Sequence, residues 1–422
     1  GLLVSMFVTF TLLPSTLNVL AERATNYRNQ KKSVITSFLA EVSKKNTLSI
    51  YGLTIVIAII SIFGITKLEV ENSFINYFDK KTEIYKGMKL IDEELGGTTP
   101  LNVIVKFPKK ENEDEVDDDW GEQEEDDSKY WFTRDKIDKI TKVHDYLNNL
   151  DAVGKVISFA SIVRVAEDLS GGKKLEALEM GVLYTKLPDS IKKEVIDPYI
   201  SIKNNEARIG LRILDSKENL RRNELVKKIN YDLENELGLK PEEFKLAGVL
   251  ILFNNLLQSL FKSQILTLGI VMAGITLMFL ILFRNLTLSL IGVVPNFMAA
   301  FLILGIIGLL EIPLDMMTIT IAAITIGIAV DNSIHYIYRF KEEFKKIGDY
   351  NKTLEKCHDT VGIAILNTSI TIVFGFSILV LSNFIPTIYF GVFTGIAMLL
   401  AMISVLTLLP KLILTFKPFK NG

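Results

Sequence analysis

Cysteine is nearly absent from this chain: Cys357 is the only one in 422 residues, so no disulfide can form within it. Histidine is scarce as well. His144, His335 and His358 are the only three. No two stand at zinc-ligand spacing and no second cysteine could join them, so no metal site is expected. A phosphate-binding G-x-x-x-x-G-K-[ST] is missing too; the nearest string, SGGKK at 170–174, has the wrong spacing. That excludes ATP hydrolysis by such a loop. No nucleophile–base set is visible, and the expectation is a non-enzyme with no bound cofactor. There is also no charged stretch ahead of the first apolar run, which starts at Gly1. Residues 1–20 therefore do not read as a signal peptide; they read as a membrane helix entered partway.

What the chain has is apolar length. Hydrophobic residues make up 49% and the mean hydropathy is +0.31, both high for a soluble protein. The formal net charge of −2 says little, because the charges are segregated along the sequence. Runs of about membrane-spanning length fall at 1–20, 47–66, 264–283, 286–310, 314–338, 363–383 and 388–415. The first and last resemble each other: LLVSMFVTFTLLP at 2–14 aligns with MLLAMISVLTLLP at 398–410. Proline after a last helical turn is a stop signal, so TLLP is expected to end both helices. On this reading 1–20 closes a first half and 388–415 a second, and the chain is the second half of a duplicated transporter.

Charge sets the topology. The 21–46 segment carries Arg23, Arg28, Lys31, Lys32, Lys44 and Lys45 against two glutamates, which places it in the cytoplasm by the positive-inside rule. A helix at 47–66 then crosses, leaving 67–263 outside as one domain, and five helices follow within 264–415 before a cytoplasmic tail at 416–422. The basic YRFKEEFKK at 338–346 falls on the cytoplasmic side again. In the outer domain NVIVKF (102–107) reads as a strand, 134–150 as a helix through Ile137, Ile140, Val143 and Leu147, and VGKVISFASIV as a strand. ARIGLRIL (207–214) and the amphipathic ENLRRNELVKKINYDLENEL form a second strand–helix unit, so a ferredoxin-like α+β domain is expected. An acidic insert at about 110–128, with twelve acidic and no basic residues in ENEDEVDDDWGEQEEDD, reads as a solvated disordered loop. Residues 249–261 form an amphipathic helix directed at the span beginning at 264.

The chemistry concentrates in GIAVDNSIHYIYRF. Asp331 lies eight residues before Arg339, roughly 12 Å along a helix from the cytoplasmic boundary. An ionisable group at that depth is costly and functional by default. Gly327 and His335 stand four residues to either side, on the same helical face, and the glycine lets another helix approach. The group is suited to taking up and releasing a proton. Asn332 points about 100° away. In the next span Asn367, Thr368, Ser369 and Thr371 form a polar cluster, with Thr368 and Thr371 three apart on one face.

This block, with LNTSITIVFGFSILVLSNFIP, the exported TPLNVIVKF and LAGVLILFNNLL segments and the closing TLLP helix, resembles the resistance-nodulation-division (RND) superfamily, in its MMPL-type hydrophobe/amphiphile exporter branch. The resemblance implies a polytopic helical membrane protein with an extracytoplasmic porter domain, in which 1–20 corresponds to the end of the sixth helix and the later spans to helices seven to twelve. It implies secondary active export of lipids or other amphiphiles across the cell membrane, with protons as the coupling ion. Asp331 then occupies the tenth-helix acidic position of the proton relay, with Asn332, His335, Thr368 and Thr371 around it and Gly327 in the helix packing. Many relatives have Asp-Tyr where this chain has Asp331-Asn332. The implied partners are membrane lipids, an amphiphilic substrate, the N-terminal half of the same transporter or further copies, and no nucleic acid. Two other readings stay open: a lipid- or sterol-sensing scaffold without transport, and a SecDF-like auxiliary of protein export.

Overall fold

The computed structural model describes residues 2–19, 33–45, 47–70, 73–108, 131–175, 177–217 and 220–419. The acidic insert expected at about 110–128 and the basic stretch 20–32 lie outside them. In chain order the first helices are α1 (Leu2–Val19), α2 (Val34–Lys45) and α3 (Thr47–Ile65). The domain that follows runs α4 (Glu83–Glu94), β1 (Thr99–Lys106), α5 (Arg134–Asn148), β2 (Val153–Ile157), α6 (Phe159–Leu169), α7 (Ala177–Lys186), a one-turn α8 (Asp189–Ile191), β3 (Ile200–Ser201), β4 (Glu206–Ile213), α9 (Arg222–Asn235) and β5 (Phe244–Ala247). The helical remainder is α10 (Val249–Phe283), α11 (Leu286–Leu309), α12 (Ile321–Ile347), α13 (Tyr350–Cys357), α14 (Ile363–Ser377) and α15 (Ile385–Phe416). Among the described residues, six helical paths are long and apolar enough to cross a membrane; α13 and α14 form one of them, Tyr350–Leu381.

The bundle closes through small residues. A Cβ built on Gly64 of α3 would lie 2.1 Å from the carbonyl oxygen of Gly305 on α11, and one on Gly308 would lie 2.0 Å from that of Gly64. Ser61 backs against Gly305 in the same seam. Without a driving force from water, membrane helices associate by such close backbone approach. Ala299, Ala329 and Ala401 do the same where α11, α12 and α15 meet. Leucines and isoleucines of α3, by contrast, are largely exposed on its other sides.

The α/β domain between α3 and α10 is built on a sheet ordered β2-β4-β1-β5, with β3 added to β4, and every pairing is antiparallel. Period-two alternation buries Leu101, Val103 and Val105 of β1 and Ala207, Ile209, Leu211 and Ile213 of β4. Ile137, Ile140, Val143 and Leu147 of α5 and Ile229 and Leu233 of α9 complete one core with them. One expectation fails here. The strand read through SFASIV stops at Ile157, because Ser158 caps a new helix: its Oγ accepts from the Ala160 N–H at 3.1 Å while Ser161 Oγ accepts from the Ser158 N–H.

Three connections tie this domain to the bundle. The amphipathic 249–261 segment and the span after it are a single helix, α10, 35 residues long, which is about 52 Å and far exceeds a hydrocarbon core of about 30 Å. Its first turn places Leu250 in the core of the α/β domain. The other two ties are backbone bridges invisible to periodicity: Leu314 N–H donates to Glu69 at 2.8 Å and Asp79 N–H to Asn383 at 3.0 Å, beside the bridges Val70–Leu314 and Phe78–Phe384.

A second expectation is corrected in the helices carrying TLLP. Neither proline ends its helix: Pro14 lies inside α1 and Pro410 inside α15. In an apolar surround the helix is the only way to satisfy its backbone, so the span continues past the proline where other groups can serve the freed carbonyl.

Candidate functional site

Helix α12 presents two polar faces with opposite fates. On one, Gly327, Asp331 and His335 line up and are exposed in this chain. His335 Nε2 stands 3.4 Å from Asp331 Oδ1, with side chains 65% and 71% exposed. Among the described residues no atom outside the helix comes within 4 Å of a Cβ built on Gly327, so they leave the room the glycine makes unfilled. Arg339, a turn further on, turns away toward Glu343 at 3.0 Å. Asn332 is half-buried.

Thr368 and Thr371 make their hydrogen bonds within their own helix. Both are exposed on α14, and their hydroxyls donate to the carbonyls of Ala364 and Asn367 on their own helix, each at 2.9 Å. Among the described residues no hydrogen bond joins them to Asp331. What they share with it is exposure: Asn367, Thr368 and Thr371 face outward from α14 as Asp331 and His335 do from α12.

The buried face of α12 holds polar groups that periodicity alone did not single out. Ser333 and Asn296 of α11 are both fully buried, and Asn296 Nδ2 donates to Ser333 Oγ at 3.1 Å and to the Gly292 carbonyl at 3.0 Å. One turn on, the buried Tyr336 hydroxyl meets His358 Nδ1 at 3.2 Å. His358 opens a π-helical turn, His358–Gly362, between α13 and α14, and its Nε2 lies 2.9 Å from the Leu406 carbonyl of α15. That carbonyl stands four residues before Pro410, which has no N–H to give it. Ser43 of α2 approaches the same oxygen at 3.3 Å. The Leu354 carbonyl, 3.0 Å from Nδ1, already accepts the backbone N–H of His358. With its proton on Nε2, His358 donates to Leu406 and its Nδ1 accepts from Tyr336. A proline inside one apolar run paired with a histidine just ahead of another is the signal that could have found this staple.

The sequence profile of the MMPL family matches residues 132–420, which takes in β2, β4 and β5 of the sheet and every bundle helix from α10 onward. The chain belongs to the MMPL family. This family is a branch of the RND superfamily of membrane transporters, and the α12 block that carries Asp331 falls inside the matched region. A membrane protein of Methanocaldococcus jannaschii is similar to this MMPL chain, 26% identical over 367 residues that cover 85% of this chain and 89% of the relative. The two are thus alike over most of both lengths, α/β domain and bundle together.

Proposed function

We propose that this MMPL chain is one repeat of a proton-driven exporter of lipids or other hydrophobic and amphiphilic molecules, in which Asp331 and His335 carry the coupling proton. The observation that carries the proposal is an Asp–His pair on an uncovered face of a membrane helix. A carboxylate facing lipid at mid-helix costs about 2.5–3.5 kcal/mol, so this face belongs against protein. The cover is a homologous helix bundle, either the N-terminal half of the same transporter or a second copy of the chain. It packs over Gly327 and brings its own polar groups to Asp331, His335, Asn332, Thr368 and Thr371. Protonation of Asp331 then removes its attraction to His335 and changes which packing of the two bundles is favoured. Helix α10 and the two backbone bridges carry the movement to the outer domain. The β2-β4-β1-β5 order, with a helix leading out of β1 and another leading out of β4, supports reading that domain as a ferredoxin-like porter unit outside the cytoplasm, with the spans in the cell membrane.

The test is transport by the reconstituted transporter in proteoliposomes under an imposed pH gradient, read with a fluorescent lipid. Asp331→Asn abolishes gradient-dependent export while the protein inserts at wild-type level. Full export by that variant overturns the mechanism.

A further inference from the structure

Between the α/β domain and the bundle lies a cavity of about 480 Å³, within the size range of small-molecule sites. Its floor is formed by the ends of the membrane helices: Pro313 from the α11–α12 loop and Ile385, Pro386 and Tyr389 from the start of α15. Its walls come from the segment after α3 and from the β4–α9 loop, and they bring Lys80, Lys89, Lys217 and Arg222. Tyr77 and Tyr85 stand among them. One wall is rigid: Arg222 forms a buried ion pair with Asp215, and Asp215 accepts from Ser73 Oγ and the Ile75 N–H, each at 3.2 Å.

The charge balance of this cavity is one-sided. Asp315 is the single acid among its lining residues, and its Oδ1 is already taken by the N–H groups of Met317 and Thr318, both at 2.8 Å. Lys80 has no ion-pair partner among the described residues. Lys89 has an exposed partner in Glu93 at 3.6 Å; Lys217 donates to the Asp151 main-chain carbonyl at 2.9 Å and reaches its carboxylate at 3.9 Å. Such surface pairs are worth little, so both lysines can turn to a better anion. Helix α9 begins here as well, on Arg221 with no side-chain cap, adding the positive end of its dipole. An apolar, aromatic floor at the membrane rim under a cationic roof matches one ligand chemistry.

We propose that this cavity binds an amphiphile with an anionic headgroup, the head among Lys80, Lys89 and Lys217 and the first part of the tail over Tyr389 and Ile385. The inference deepens the exporter reading by naming the charge class of its cargo, and it rests on that reading for its role in transport. The experiment is equilibrium binding to the full chain in uncharged detergent with no gradient. The probes are short-chain phosphatidylglycerol, short-chain phosphatidylcholine and inorganic phosphate. Phosphatidylglycerol binds roughly tenfold or more tighter than phosphatidylcholine, a ratio that two lysines at a membrane surface supply. The Lys80→Gln/Lys89→Gln double variant, unchanged in thermal midpoint, loses that preference and keeps its phosphatidylcholine affinity. Equal affinity for the two lipids, or an unchanged preference in the double variant, overturns the proposal. So does inorganic phosphate binding as tightly as phosphatidylglycerol, which would make the site one for a free anion. Asp331→Asn binds phosphatidylglycerol as the wild type does, so failure of the headgroup site and failure of the proton mechanism are read separately.

Discussion

His358 and Pro410 form a pair whose coupling can be measured. Phe in place of His358 keeps the ring but takes the 2.9 Å donor from the buried Leu406 carbonyl and leaves it with Ser43 at 3.3 Å, a hydroxyl already bonded to Leu39 at 2.8 Å; a poorly served buried acceptor costs about 1–3 kcal/mol. Pro410→Ala restores an N–H four residues along α15, and that N–H serves the same carbonyl. His358→Phe should therefore cost about 1 kcal/mol or more less in the Pro410→Ala background than in the wild type. The loss of the Tyr336 partner occurs in both backgrounds and cancels from the cycle. Ser43, at 3.3 Å from both Leu406 and Thr407 oxygens, is present in all four proteins and cancels too. The assay is reversible unfolding of the four proteins in bicelles, by steric trapping or denaturing-detergent titration. Costs that add within about 0.5 kcal/mol would show that Pro410 does not create the acceptor that His358 serves.

The glycine seam gives a paired prediction. Gly308→Val drives a side chain into the Gly64 carbonyl, 2.0 Å from its Cβ, and destabilises the bundle by about 1–3 kcal/mol. Gly327→Val meets nothing among the described residues, so it leaves the isolated chain's unfolding midpoint in place while blocking export. The α/β domain carries a pH signature. Burial, with Arg164 nearby, pushes the His144 imidazole below its usual value, so the unfolded chain binds a proton that the folded one refuses. Its contribution is complete above about pH 6.5 and is lost as pH falls toward the lowered folded value, at most about 1.4 kcal/mol per pH unit. His144→Gln flattens the slope of that domain's stability, followed by hydrogen exchange, across that window.

Much of the bundle was legible because hydropathy and length answer to one physical demand, the satisfaction of every backbone group within lipid. Hence the stretches at 47–66, 286–310 and 388–415 and the helices α3, α11 and α15 nearly coincide. The β1 and β4 alternation and the apolar stripe of α5 were legible for the matching reason, that one face of each meets a core. Where local and long-range signals competed, the sequence misled. Ser158 ends a strand that its β-branched neighbours argue for, because the capping bonds need only three residues to form. Pro410 reads as a stop until the histidine and serine that serve Leu406 are seen, and these lie 48 and 363 residues away. Asp331, Gly327 and His335 were placed on one face by spacing alone. That this face has no cover among the described residues depends on which side α11 and α15 take, which spacing does not encode.

The TLLP of α1 has its own consequence. Pro14 withholds an N–H from the Phe10 carbonyl as Pro410 does from Leu406. The hydroxyl groups of α1 bond elsewhere along their own helix: Thr9 to Ser5, Thr11 to Phe7, Ser15 to Thr11 and Thr16 to Leu13. In lipid a carbonyl that has lost its i+4 donor draws other donors to itself. Phe10 is thus an address: whichever helix settles against α1 must arrive with a donor at that height, and a cross-link placed at Phe10 would report which segment answers it.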